Sequence, residues 1–175
     1  MLNSRLMQML IPPDALVLLI GPSGSGKSTF ARRHFRATQI VSSDTCRAWI
    51  CDDEADQSTT KDAFELLGTV LRMRLSRGRL TIVDATSVQA WARASLLTIA
   101  REWQRPAVAI VFDLPRGVIA AQNQSRDRNV DEAVMEQQVL DLKTSLQELP
   151  GEGLAGIYVI TTQAEINAAE IHLEN

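Results

Sequence analysis

Gly21-Pro22-Ser23-Gly24-Ser25-Gly26-Lys27-Ser28 decides the fold of this chain. An apolar run, residues 15–20, leads straight into it, and a helix-forming stretch, residues 29–36, follows. The spacing G-x-x-x-x-G-K-[ST] between a strand and a helix is that of a phosphate-binding loop. Glycines let backbone N–H groups curl around phosphate oxygens with no Cβ in the way. A helix beginning near Lys27 points the positive end of its dipole at the same anion. Lys27 reaches the β- and γ-phosphates, and the Ser28 hydroxyl suits Mg²⁺. The expected ATP-binding set is therefore Gly21, Ser23, Gly24, Ser25, Gly26, Lys27, Ser28 and Thr29. With no nucleotide bound, the Lys27 side chain is expected to face solvent. The plainer alternative is a Gly-Ser turn joining strand to helix, and chance matches of this kind are rare.

Working outward, apolar runs and helical patterns alternate. Strands are expected at residues 15–20, 39–42, 80–83, 107–112 and 156–160. Helices are expected at 27–36, 58–77, 89–103, 115–122, 131–149 and 164–173. Residues 1–13 read as a lead-in, a short helix ended by Pro12 and Pro13. The apolar stripe of the 58–77 helix is Phe64, Leu67, Leu71 and Leu75; that of the 89–103 helix is Ala92, Leu96, Ile99 and Trp103. Alternation of this kind predicts an α/β fold: a five-stranded parallel sheet covered by helices on both faces, with a helical lid at about residues 115–130. No linker or repeat interrupts it, so residues 1–175 are expected to form a single P-loop kinase domain.

A net charge of −3 gives no bulk attraction to nucleic acid or to an anionic membrane. It still permits an enzyme that holds only the end of a strand, where few phosphates are contacted. No apolar run reaches transmembrane length, and the early residues carry one cation, Arg5, with no small-residue cleavage site. Cys46 and Cys51 make neither a disulfide framework nor a zinc pattern. A reduced, cytoplasmic setting is expected.

Ligands of such sheets bind at the carboxyl ends of the strands. Asp84 follows an apolar strand, where a second carboxylate steers Mg²⁺ directly or through water; the alternative is a helix or loop cap. Asp44 ends the second strand with Arg47 three residues on, so one helical turn puts both on one face. There a carboxylate can take a proton from an acceptor hydroxyl while the arginine grips an anion on the same acceptor. The alternative makes Asp44 an N-cap, a role open equally to Ser42 and Ser43. Asp113, followed at once by Leu114 and Pro115, reads as a helix start. Arg126 and Arg128 sit in a polar stretch between two helices, suiting a lid that closes over the γ-phosphate and excludes water. Otherwise they form an exposed turn paired to Asp127 and Asp131. Trp49 and Trp91 are able to stack on a base, although packing is the commoner use of tryptophan.

The chain resembles the 5′-hydroxyl polynucleotide kinase domain of bacterial end-healing enzymes, the polynucleotide kinase–phosphatase family, and more distantly the phage polynucleotide kinase. The stretches that carry this are residues 18–33, Ser42-Ser43-Asp44-Thr45-Cys46-Arg47, DDEADQSTTKDAFEL at 52–66, LTIVDAT at 80–86 and DRNVDEAV at 127–134. The resemblance implies that ATP, with Mg²⁺ at Ser28 and Asp84, donates its γ-phosphate to 5′-hydroxyl ends of RNA or DNA in repair. It implies that Asp44 is the general base, that Arg47 holds the phosphate next to the attacking nucleoside, and that Gln57 contacts the acceptor. Lys27 serves the nucleotide, and Arg126 and Arg128 are the lid arginines, with Arg126 also on ATP. The family lid usually opens with Arg-Asn where this chain has Gln122-Asn123. Phosphatase and ligase modules that accompany the family are expected as separate partners or fused modules, not within these residues. Two other readings stay open: a small-molecule P-loop kinase acting on a metabolite, nucleoside or antibiotic, and an ATP-binding switch module with no acceptor chemistry. Arg47 argues against a neutral acceptor, and Asp44 against a mere switch.

Overall fold

The computed structural model describes residues 7–125 and 130–174. Strand β2 (Leu16–Ile20) is the centre, with all five residues buried. On one side of it lie β4 (Thr81–Asp84) and then β3 (Ile40–Ser42); on the other lie β5 (Ala107–Phe112) and then β6 (Gly156–Ile160). Every pairing in this sheet is parallel. Alternation along β2 divides the core. Leu16, Leu18 and Ile20 pack with Leu67, Leu71 and Leu75 of α3 (Thr60–Leu75), Leu96 and Ile99 of α4 (Ala90–Glu102) and Leu142 of α6 (Glu132–Glu148). Val17 and Leu19 pack the opposite way, with Phe30 of α1 (Lys27–His34) and Ile166 of α7 (Gln163–Ala168). Each buried Leu or Ile contributes about 1.5–3 kcal/mol, and both faces of a parallel sheet must be covered in this way.

The expected five-stranded α/β fold is therefore present, and its register positions the site. Leu19 pairs with Asp84, and Asp84 pairs with Ser42. The phosphate loop, Asp84 and the start of α2 (Ser43–Cys51) thus emerge side by side at the carboxyl edge. The chain crosses to opposite sides of β2 on leaving and returning, so this edge is the switch point where ligands bind.

Both chain ends differ from expectation. Residues 7–11 are not helical; they form strand β1 (Met7–Ile11). The closing helix stops at Ala168 and continues as strand β7 (Ala169–Leu173). β1 and β7 pair in parallel as a separate two-stranded sheet, Met7 opposite Ala169. Met9 and Ile11 are fully buried beneath it, and the Tyr158 hydroxyl bonds both the N–H and the carbonyl of Leu10, each at 2.9 Å. A five-residue apolar run is ambiguous by periodicity; here the partner strand, distant in sequence, decides. At the other end of α4, Trp103 is 39% exposed and the fully buried position is Arg93. Among the described residues no helix is long and apolar enough to cross a membrane.

Candidate active site

The loop between β2 and α1 has the backbone its glycines predict. Gly24 and Gly26 stand at φ +84° and +88°, in the left-handed region. A Cβ on Gly24 would meet the Ile119 carbonyl of α5 (Arg116–Gln124) at 2.9 Å, so the loop lies tightly under that helix. Helix α1 begins at Lys27 and carries Arg32, Arg33 and His34 in its last turn, where cations suit its dipole.

Lys27 does not face solvent as expected. It is 8% exposed, and its ammonium donates to the carbonyls of Gly21 (2.7 Å) and Pro22 (2.8 Å) and to Ser25 Oγ (3.4 Å). The loop turns those carbonyls inward, toward the ammonium group. Ser28 is half-buried and Thr29 exposed at the first turn of the helix.

Helix α2 removes the capping alternative for Asp44. Its N-cap is Ser42, whose hydroxyl accepts the Thr45 N–H at 3.4 Å, so Asp44 is not the cap. Asp44 Oδ1 instead accepts from Arg47 Nη1 at 2.5 Å, the i,i+3 pair expected of one helical face. Arg47 is 7% exposed, and its Nε has no partner among the described residues. Gln57 is exposed in the short 3-10 turn Gln57–Thr59, capped by Asp56, which accepts the Ser58 N–H at 2.8 Å. Hydrogen bonds from Ser58 hold the Asp56 carboxyl below the usual carboxylate range. Burial pushes the Cys46 thiol up, against the lowering effect of Arg47, so this cysteine packs.

Two cavities meet here. The larger, about 770 Å³, runs past Gly24, Gly26 and Thr29 and reaches Trp49, Gln122 and Gln163. The smaller, about 540 Å³, contains Ser23, Arg47, Gln57 and Gln138. Lys27, Ser28, Ser42, Asp44 and Asp84 line both. Asp113 lines neither; its N–H bonds the Ile160 carbonyl at 2.8 Å. Of the predicted residues, the loop, Asp44, Arg47, Gln57 and Asp84 are thus brought together, whereas Arg126 and Arg128 lie outside the described residues. Among the described residues there is no cluster of three or more His, Cys, Asp or Glu able to hold a metal. One hydroxyl, Ser28, and one carboxylate, Asp84, form a sparse oxygen set of the kind that suits Mg²⁺, which takes its remaining ligands from phosphates and water.

The sequence reading missed two contributors. Gln138 of α6 accepts the Ser23 N–H of the phosphate loop at 2.8 Å. Arg93 of α4 donates to the Ser87 carbonyl (3.2 Å), to Ser145 Oγ (2.7 Å) and to the carboxylates of Glu148 (3.2 Å) and Glu152 (2.5 Å). Ser87 sits at φ +50°, and the preceding Thr86 carbonyl accepts the Gly21 N–H at 3.1 Å. Arg93 therefore braces the turn after Asp84 that touches the phosphate loop. Both positions fall in helical stripes where only the fold reveals a partner. Across the stretch expected as a lid, the Asn123 side-chain amide bonds both the carbonyl (2.8 Å) and the N–H (3.2 Å) of Val130.

Several solved structures share this architecture. A chain of the Pnkp1/Rnl/Hen1 RNA repair complex matches with a TM-score of 0.67 and 22% identity, over 80% of this chain and 47% of that one. This chain thus spans about half the length of that neighbour. A gluconokinase from Sinorhizobium meliloti 1021 matches with a TM-score of 0.57 and 14% identity, over 89% of this chain and 87% of its own. The APS kinase CysC of Mycobacterium tuberculosis, in complex with AMPPNP and APS, matches with a TM-score of 0.55 and 16% identity, over 90% and 94%. No curated protein sequence matches this chain significantly. The structural neighbours share the fold of P-loop kinases across different acceptors. Residues 16–149 match the AAA domain model AAA_33, and the chain belongs to that family.

Proposed function

We propose that this protein is an ATP-dependent polynucleotide 5′-hydroxyl kinase acting on RNA or DNA ends in repair. The observation that carries the reading is the Asp44–Arg47 pair. A carboxylate lining both cavities is bonded at 2.5 Å to a buried arginine whose Nε has no partner among the described residues. Burying a guanidinium with an unused donor is costly unless an anion completes it. A strand end supplies that anion one sugar away from the hydroxyl.

In this reading Asp44 accepts the proton of the 5′-hydroxyl as its oxygen bonds to the γ-phosphorus. The bond from γ-phosphorus to the bridging β,γ oxygen breaks, and ADP leaves. Arg47 turns its fork from Asp44 to the 3′-side phosphate, and Gln57 lies in the same cavity to contact the acceptor. Lys27 exchanges the Gly21 and Pro22 carbonyls for phosphate oxygens. Gly21, Ser23, Gly24, Ser25, Gly26 and Thr29 complete the ATP cradle, and Arg126 and Arg128 close over the γ-phosphate. Mg²⁺ held by Ser28 and Asp84 would neutralise charge developing on the phosphates. Phosphatase and ligase activities, as partners or fused modules, fit such a kinase.

A second reading has a specific observation behind it: the gluconokinase and the APS kinase match nearly end to end. On that reading Arg47 grips an anionic group of a metabolite. The separating experiment supplies γ-labelled ATP with 5′-hydroxyl RNA and DNA oligonucleotides, gluconate, APS and nucleosides. Label on an oligonucleotide end is the expected result. Label on a metabolite alone gives the second reading, and label on none of them leaves a switch module.

A further inference from the structure

Exposure alone assigns nothing to a tryptophan, since Trp91 is 66% exposed and lines neither cavity. Trp49 is 69% exposed, and it lines the larger cavity together with Lys27, Asp44 and Thr45. It lies on α2 five residues after Asp44, a rise of about 7.5 Å along the helix, and one turn after Thr45 on the same face. Arg47 belongs to the other cavity, and Asp44 to both. With the 5′ oxygen at Asp44, which lines both cavities, and the 3′ phosphate at Arg47 in the smaller one, the larger cavity is open to the base. The phosphate-loop residues of that cavity, with Lys27 and Arg32, are left to ATP; the residues beside Trp49 suit a base. Asp44 and Glu54 present carboxylates, Ile40 a half-buried apolar wall and Trp49 an open π face.

We propose that Trp49 is the stacking platform for the base of the accepting 5′-terminal nucleoside. This rests on the polynucleotide reading and adds a base subsite to it. Stacking on a π face tolerates any base, so the subsite demands that a base be present and discriminates weakly among the four.

The test compares two 5′-hydroxyl oligonucleotides with the same phosphates, one ending in a normal nucleoside and one in an abasic sugar. Wild type should prefer the normal end by about 5- to 150-fold in kcat/KM, the range of base–aromatic stacking. Trp49→Ala should erase that preference, Trp49→Phe should keep most of it, and the KM for ATP should stay within about twofold of wild type in both variants. A Trp49→Ala enzyme that keeps the preference overturns the proposal. So does one whose KM for ATP rises while the preference persists, since Trp49 would then hold the donor's base. A second readout needs no turnover. Without ATP, the normal oligonucleotide should quench tryptophan emission, the abasic one should not, and Trp49→Phe should remove the signal. If no 5′-hydroxyl end is phosphorylated, the kinase assignment fails first; base-dependent quenching then still supports the subsite, and its absence overturns it.

Discussion

Arg47 and Arg93 are both buried in the fold, yet they are used in opposite ways. Arg93, with no exposed surface, directs its guanidinium to the carboxylates of Glu148 and Glu152, the Ser145 hydroxyl and the Ser87 carbonyl. Ser145 passes the chain on by donating to the Val88 carbonyl. Arg47, 7% exposed, has one carboxylate partner and an Nε with no partner among the described residues. A guanidinium whose donors are all matched by the fold holds elements together and has nothing left to offer a ligand. One held in place but unsaturated, at the wall of a cavity, is prepared for an anion. Saturation, more than burial, separates a staple from a binding residue.

That contrast can be broken or sharpened by substitution. The largest effect is expected at the carboxylate facing Arg47. Asp44→Asn should lower turnover on a 5′-hydroxyl end by roughly 10²–10⁴-fold, the range for a lost general base, with ATP affinity nearly unchanged. Collapse of ATP binding with single-turnover chemistry intact would make Asp44 a nucleotide or structural residue. Next, Arg93→Ala should destabilise the fold by about 3–5 kcal/mol, because it empties a fully buried position and leaves the largely buried Glu152 carboxylate and the Ser87 carbonyl without their donor. In calorimetry that is a fall in Tm of about 6–20 °C. Arg47→Ala should cost at most about 1 kcal/mol of stability, since its one ion pair is with a half-exposed carboxylate. Equal losses of stability from the two alanines would abolish the distinction. The smallest effect concerns Gln138. Gln138→Ala should reduce kcat/KM for ATP by about 2- to 13-fold, the worth of one hydrogen bond at the Ser23 amide. Gln138→Glu keeps an acceptor there but sets a negative charge beside the phosphates, and should be worse than alanine. A glutamate variant better than alanine would mean that Gln138 only braces the loop.

How legible each part was follows from how local its cause is. The phosphate loop was readable because its backbone needs glycine at fixed positions: Gly24 and Gly26 take the left-handed conformation that other residues rarely adopt. The Asp44–Arg47 contact was readable because i,i+3 geometry belongs to the helix itself. The β1–β7 pair was not, because neither five-residue strand has a local signal and each needs the other. Arg93 was hidden for the same reason. An arginine on an apolar helix face looks solvated until Glu148, Glu152 and Ser145 arrive from elsewhere in the chain. Lys27 was misread because the sequence shows its ammonium but not the inward turn of the Gly21 and Pro22 carbonyls that hold it. The lid arginines expected at Arg126 and Arg128 lie outside the described residues, and the clasp of Asn123 on Val130 marks where that segment leaves and returns.

The unsaturated guanidinium of Arg47 is the centre of the account, and one comparison tests it directly. Wild-type enzyme is assayed on a nucleoside 3′-monophosphate and on the same nucleoside, alongside Arg47→Ala and Arg47→Lys. A charge-assisted bond to the 3′ phosphate is worth about 1.5–3 kcal/mol, so wild type should prefer the monophosphate by roughly 10- to 150-fold in kcat/KM. Arg47→Ala should lose most of that preference with ATP binding unchanged, and Arg47→Lys should regain only part, because a point charge lacks the guanidinium fork. Equal use of the two acceptors by wild type, or an Arg47→Ala enzyme that keeps the preference, would contradict the assignment.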